Sequence, residues 1–250
     1  MLNGFLNAFR VKELRSKILL TVGILVLYRI GAYVPVPGIP FQGMLSAYQS
    51  SSSANSAIAV LNLFSGGALS RVSVFCLGIM PYITAQIIMQ MFQAVIPSLG
   101  TLAREGESGQ RKITQYTRYL TVALALLNSV GYLFLFKSSS FGIDFSQAGM
   151  PGWLMDTVVV VSMLAGAILI MWMGEVITQR GIGNGMSLII FANIIAGLPT
   201  SIVQSLRTAD NGVLMTVMIV VLIVAVVPFI VYIERGQRRI PVQYAKRVVG

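Results

Sequence analysis

The sequence contains no histidine, one cysteine and only eight acidic residues among its 250 residues. Without histidine it lacks the commonest transition-metal ligand and the usual general base. The single cysteine, Cys76, excludes a disulfide bond within the chain. These absences argue against an enzyme, and we expect no metal site and no bound cofactor.

Charged residues are also scarce, at 10% of the chain, whereas hydrophobic residues make up 56%. Soluble domains carry roughly 25% charged residues, so the composition predicts an integral membrane protein. Six segments have the apolar length of about 20 residues that a spanning helix needs. We therefore predict an all-α polytopic membrane protein whose six transmembrane helices lie near Ile18–Val34, Val72–Ile96, Tyr119–Phe136, Trp153–Gly174, Met186–Gln204 and Val213–Ile233.

The lysines and arginines are distributed unevenly among the connections. Fourteen lie in the N-terminal stretch, the 93–118 loop, the 175–185 turn and the tail after Ile233, against three in the alternate connections. Positive residues favour the cytoplasmic side, so both termini are predicted to be cytoplasmic. Arg29 lies inside the first span near its outer end, from where its side chain is expected to reach the interface.

The predicted organisation has three parts. Residues 1–17 place apolar residues on one helical face and basic residues after them, which indicates a helix lying on the membrane surface. Residues 18–233 form the transmembrane region. Residues 234–250 are a basic cytoplasmic segment with five positive charges against one acid.

The positions of the few acidic residues restrict the classes of membrane protein to which the chain can belong. Asp156 begins a predicted span and Glu175 ends it, whereas carriers coupled to ions or protons generally need charged groups near the bilayer midplane. An ion-coupled carrier is therefore disfavoured, while a carrier for an uncharged solute and a membrane scaffold that recruits partners remain open. The "GIGNG" turn at 181–185 lacks the spacing and the lysine of a phosphate-binding loop.

Two pairs of apolar residues have the spacing of a hydrophobic constriction. Ile79 and Ile83 are four residues apart with Pro81 between them, and Met186 and Ile190 repeat the interval. Residues at this spacing share one face of a helix, and a dry apolar collar resists the passage of ions. Ordinary helix packing explains the same spacing, and the spacing alone favours packing.

A short apolar stretch, from about Ala57 to Leu69, is too short to cross the membrane. Asn62, Ser65 and Ser70 are expected to keep it partly wet. Apolar backbone of this kind is tolerated at membrane depth only inside protein or beside a cavity. A glycine-hinged stopper and a half-helix packed through small residues are equally consistent with it.

Five stretches together closely resemble the bacterial SecY family, over essentially the whole chain and in the same order. They are "YRIGAYVPVPGI" (28–39), "LFSGGALSRVSVFCLGIMPYI" (63–83), "EGESGQRKITQYTRY" (105–119), "GEVITQRGIGNGMS" (174–187) and "IERGQRRIPVQYAKR" (233–247). SecY is the central subunit of the channel through which unfolded secretory and membrane polypeptides cross the bacterial plasma membrane or enter it. The resemblance therefore implies protein translocation.

The resemblance implies roles for particular residues. Ile79, Ile83, Met186 and Ile190 would belong to the pore ring, with Met186 at a position more often occupied by isoleucine. Residues 57–71, the plug segment, would include a re-entrant helix that closes the channel at rest, and the residues that correspond to the family's plug are Phe64, Ser65, Gly66, Gly67, Ala68, Leu69, Ser70 and Arg71.

Partners also follow from the resemblance. They are the SecE and SecG subunits, the SecA motor ATPase, the ribosome with its RNA, the signal sequences of substrates, and membrane lipid. The basic residues expected to bind the motor or the ribosome are Arg235, Arg238, Arg239, Lys246 and Arg247. SecY proteins have ten spans in two inverted halves, so a C-terminal half is expected to complete the channel.

Overall fold

The computed structural model of the protein describes residues 11–37, 56–137, 151–208 and 212–236. Met1–Gly197 form one compact unit and Leu198–Gly250 a second. Within the described ranges the chain forms helices and no strand. They are α1 (Lys12–Gly31), α2 (Ser56–Phe64), α3 (Met80–Val95), α4 (Pro97–Arg104), α5 (Glu107–Lys137), α6 (Gly152–Arg180), α7 (Gly185–Thr208) and α8 (Gly212–Glu234).

The all-α prediction is confirmed, and each of the six predicted spans contains a helix. Three described helices are long and apolar enough to cross a membrane, namely Glu107–Lys137, Gly152–Arg180 and Val217–Glu234. Helices α3 and α4 meet at a bend of 101° and add a fourth span if they are counted together. The number six itself stays a prediction.

The first two predicted segments differ from the helices observed there. Helix α1 begins at Lys12, so residues 12–17 of the predicted surface helix continue directly into the first span, while residues 1–10 lie outside the described ranges. The prediction of a helix from Val72 is wrong, because α3 begins only at Met80. Val72 and Gly78 have positive φ angles of 37° and 56°, which a continuous right-handed helix does not allow.

Helix α5 is the central element of the first unit, packed against α3, α4 and α6, and α1 packs against α6. One face of α5 is buried at every fourth residue. Its hydroxyl groups are satisfied inside the helix, because each donates to the carbonyl four residues earlier. The residues of this face are Gly109, Ile113, Thr117, Thr121, Ala125, Ser129 and Leu133.

Two ion pairs join α5 to α6, one near each end of α6. Arg118 and Glu175 make two contacts of 2.6 and 2.7 Å, and Lys137 Nζ lies 2.6 Å from Asp156 Oδ2. Sequence analysis had placed both acids at span ends but had assigned neither a partner. In the second unit, the described side chains of α8 from Val217 onward are all exposed.

Candidate functional site

The plug segment turns sharply after α2, at the glycine pair. The Gly66 N–H donates to Leu63 O over 3.1 Å, and the Gly67 N–H donates to Asn62 O over 2.9 Å. These two bonds form a Schellman motif, which ends helices and requires a left-handed residue. Gly66 supplies it with a φ of 66°, and Gly67 follows at 83°. Only Phe64 among the eight predicted plug residues is therefore helical.

Polar side chains fix the shape of this turn from within. Ser65 Oγ donates to Asn62 O at 3.0 Å and accepts from the Leu69 N–H at 3.1 Å. Asn62 Oδ1 accepts from the Ser70 N–H at 3.0 Å, and Ser70 Oγ donates to Gly67 O at 2.8 Å. The expectation that these side chains keep the segment wet is wrong for Ser65, which is 2% exposed. They satisfy the backbone of the turn instead.

Side chains from two other helices hold the turn from outside. Arg29 Nη1 of α1 donates to Gly66 O at 2.7 Å. Asn193 Nδ2 of α7 donates to Phe64 O at 2.8 Å and to the Tyr28 hydroxyl at 2.9 Å. The Arg29 guanidinium group therefore binds the backbone of the plug segment, a partner that sequence analysis did not assign, and its reach to the membrane interface stays a prediction.

Arg71, the unusual charge in the apolar stretch, lies over an aromatic ring. Its guanidinium carbon is 4.2 Å from the centroid of Tyr33, and that of Arg29 is 5.4 Å from the same centroid. Aromatic faces attract cations, so Tyr33 stabilises both arginines at this end of the plug segment. An antiparallel bridge between Pro35 and Ser73 joins the same two stretches of chain.

The four predicted ring residues lie together. Ile79 is 1% exposed and Met186 is 6% exposed, and both belong to one buried apolar cluster that also contains Ala68 of the plug segment. Ile83 and Ile190 are half-buried and pack against that cluster. The structure thus brings both residue pairs and a plug residue into contact with one core.

The helical geometry assumed for the first pair needs correction. Ile79 is the residue that precedes α3, and Ile83 lies in the first turn of that helix. Pro81 lies between them at the start of the helix, where a missing N–H has no cost. Pro81 therefore begins α3 and does not loosen its interior.

The "GIGNG" turn positions the second pair. Asn184 Oδ1 accepts from the Met186 N–H at 3.0 Å, which caps the start of α7. Thr178 Oγ1 accepts from the Gly185 N–H at 2.9 Å, and Thr21 Oγ1 of α1 accepts from the Ile182 N–H at 3.2 Å. These bonds fix the start of α7 against α6 and α1.

Three residues of this site escaped sequence analysis. Asn193, Tyr28 and Ile189 are all buried. Asn193 could have been identified from the sequence, because an amide inside an apolar span needs a hydrogen-bond partner. Ile189 adjoins a predicted ring residue, and Tyr28 gave no signal of its own.

The predicted partner-binding residues lie mostly outside the described ranges. Arg235 directly follows α8 and is exposed. The remaining four, Arg238, Arg239, Lys246 and Arg247, belong to 237–250, which the structure does not describe.

Residues 73–250 match the SecY family model. The chain belongs to the SecY family. Its relatives include the protein translocase subunit SecY of Streptomyces coelicolor, 44% identical over 257 residues, and that of Corynebacterium glutamicum, 46% identical over 252 residues. Both alignments cover 100% of this chain, which spans 59% and 57% of the length of these two SecY proteins. The family and the apolar helices make the chain a multi-pass membrane protein.

A solved structure supports the SecY fold. The chain resembles Sec61 in the canine ribosome–channel complex from the endoplasmic reticulum with a TM-score of 0.53 at 20% sequence identity. The likeness covers 90% of this chain and 49% of that Sec61 chain. At this identity it bears on the fold alone.

Proposed function

We propose that this chain is the N-terminal part of a protein-conducting channel that passes unfolded polypeptides across, and membrane proteins into, the bacterial plasma membrane. One observation supports this most directly: the four residues that correspond to the SecY pore ring share one apolar cluster with Ala68 of the plug segment. A seal of this composition resists ion passage and offers no fixed hydrogen bonds to a moving chain. The role is passive, and a partner supplies the energy.

The chain spans only part of its relatives, so a complete pore would need the remaining half. A half-ring cannot enclose an opening. In this arrangement Ile79, Ile83, Met186 and Ile190 line one side of the constriction, and the plug segment closes it at rest. The N-terminus faces the cytoplasm, as the distribution of positive residues suggests.

A reconstituted channel tests the proposal. This chain would be co-expressed with the C-terminal remainder of the Corynebacterium relative and placed in vesicles with a translocation motor. We expect a secretory precursor to become protease-protected inside the vesicles. Full-length Corynebacterium SecY is the positive control and the remainder alone is the negative control. Failure of the paired halves to protect the precursor, while the full-length control succeeds, would contradict the proposed function.

Partner binding is assigned to the basic segment after α8. Arginine forks suit both RNA phosphates and carboxylates, so Arg238 and Arg239 are proposed to contact the ribosome and the SecA motor. SecE and SecG would complete the channel, and signal sequences and lipid would meet it within the membrane. A plain topological anchor is the competing explanation for the same charges.

Reversal of both arginines to glutamate separates these explanations. In the reconstituted channel we expect Arg238→Glu with Arg239→Glu to weaken ribosome and motor binding and to stop transport, while membrane insertion stays normal. The ribosomal part should weaken steeply as salt rises. Arg104→Glu with Lys112→Glu changes the net charge equally at two exposed residues and serves as the control. Intact binding to both partners after the first reversal would favour the anchor.

A further inference from the structure

Asn193 differs from most other buried polar side chains of the described residues. The hydroxyls of Thr21, Thr117, Thr121 and Ser129 donate to carbonyls four residues earlier in their own helices. Such bonds survive when the helix moves as a body. Asn193 is 1% exposed and donates only to partners outside α7, one in the plug segment and one in α1. Its bonds break if α7 separates from either of them.

The carbonyls of Phe64 and Gly66 accept hydrogen bonds from side chains of other helices. These are carbonyls for which the turn itself supplies no donor. The carbonyls of Leu61, Asn62 and Leu63 accept from backbone N–H groups of the turn. Phe64 is the last residue of α2, so its carbonyl has no partner within that helix. Asn193 donates a hydrogen bond to that carbonyl, and Arg29 donates one to the carbonyl of Gly66. Both bonds are partly buried, and a carbonyl that loses its donor away from water costs free energy, so these side chains hold the plug segment in place.

Contact between the amide and the turn is close. A β-carbon built on Gly66 would lie 2.5 Å from Asn193 Oδ1 and 3.2 Å from Arg29 Nη1. Only glycine leaves room for both side chains to approach this carbonyl-rich turn. The Tyr28 hydroxyl accepts from the same Asn193 amide, so α1, α7 and the plug segment meet at one nitrogen.

The register of α7 links this contact to the pore ring. Met186, Ile190 and Asn193 are separated by four and then three residues, the spacing of one helical face. Displacement of Met186 and Ile190 by a polypeptide in the pore would therefore also displace the Asn193 amide. The amide would lose its contact with Phe64 O in the same movement.

We propose that Asn193 is a latch that couples the pore ring to the plug segment. At rest its amide holds Phe64 O and the Tyr28 hydroxyl, and widening of the ring withdraws it and frees the plug. The latch rests on the proposed function, since it needs a pore that widens. It makes Asn193 a positioning residue that contacts no substrate.

The test measures plug release in the reconstituted channel without substrate. Resting ion flux reports opening, and maleimide labelling of Cys76, the chain's one cysteine, reports exposure of the core under the plug. Cys76 is buried in the same apolar cluster as Leu69 of the plug segment. Asn193→Leu keeps the side-chain size but removes both donations. Tyr28→Phe removes only one acceptor, and Thr117→Val removes a buried hydroxyl bond within α5.

We expect Asn193→Leu to raise flux and Cys76 labelling on the order of tenfold, because each buried hydrogen bond shifts an equilibrium roughly two- to tenfold. Tyr28→Phe should raise both by a few-fold, and Thr117→Val should change neither, while all three still transport precursor. Unchanged labelling in Asn193→Leu would overturn the latch, as would an equal rise in Thr117→Val. If Asn193→Leu does not assemble, an unchanged Tyr28→Phe overturns it.

The latch and the proposed function fail in different ways. If the unsubstituted halves protect no precursor, the proposed function fails whatever the latch variants do. If they protect precursor and Asn193→Leu is as tightly closed as the unsubstituted channel, only the latch fails.

Discussion

The plug segment and the pore ring are neighbours in one core, yet they are held by different forces. The plug turn is fixed by hydrogen bonds of 2.7–3.1 Å, both within itself and from Arg29 and Asn193. The side chains of the ring residues Ile79 and Met186 are held by apolar contacts. Hydrogen bonds fail steeply with distance and angle, whereas apolar contact adjusts with area.

In the proposed channel, this difference suits two tasks. A stopper must be either seated or released, and directional bonds give it few intermediate positions. A seal must stay closed around chains of varying width, and contacts without direction allow that. Met186 adds flexibility, because an unbranched thioether fills irregular gaps. Substitutions in the plug segment should therefore open the channel in an all-or-none way. Substitutions in the ring should change ion leakage gradually.

The largest effect is expected at Gly66. Gly66→Ala forces a left-handed alanine, which costs about 1–2 kcal/mol, and places its β-carbon 2.5 Å from Asn193 Oδ1. Gly67→Ala at φ 83° has the same backbone strain, but its β-carbon would meet only Arg71 Nη1 at 3.4 Å. Resting flux and Cys76 labelling should rise far more for Gly66→Ala. Equal effects of the two substitutions would mean that backbone strain alone matters.

A graded effect is expected at Ile79. Ile79→Val removes one buried methylene and should cost about 0.5–1.5 kcal/mol of stability, with a small rise in ion leakage. Ile79→Ser adds a buried hydroxyl and should leak more, while transport continues. Flux should increase more than Cys76 labelling does, because the seal changes and the plug bonds remain. A rise in labelling equal to that of Gly66→Ala would erase the distinction between plug and ring.

The smallest effect is expected at Met186. Met186→Ile conserves volume and should change stability by less than about 1.5 kcal/mol, with unchanged leakage. Gly174→Ala serves as the comparison variant, because its β-carbon would collide with the Met186 sulfur. Thermal unfolding and resting flux measure both. A large leak in Met186→Ile would show that this ring position depends on the shape of methionine.

Sequence patterns predicted the local features of this fold well. Long apolar runs identified every helix in the described ranges that can cross the membrane, and the glycine pair marked a turn whose geometry only glycine adopts easily. The start of α3 was missed because the apolar run continues through Val72–Ile79. In that stretch the backbone angles, and not the hydropathy, determine where the helix begins. Composition does not encode a positive φ at a valine.

Contacts between distant residues were beyond the same reasoning. Asn193 and Phe64 are 129 residues apart, and Arg29 and Gly66 are 37 apart. A lone arginine near a span end is equally compatible with a lipid interface and with a carbonyl of another segment. Only the packed structure shows that Arg29 donates to the carbonyl of Gly66.

The spacing of the two ion pairs between α5 and α6 can be compared with the thickness of the bilayer. Arg118 and Lys137 are 19 residues apart on α5, and Asp156 and Glu175 are 19 apart on α6, which corresponds to about 28 Å of helix at 1.5 Å per residue. That length is close to the roughly 30 Å of a hydrocarbon core. A membrane much thicker than this would draw a charged pair into its hydrocarbon core, so we expect the helix pair to favour bilayers of about this thickness.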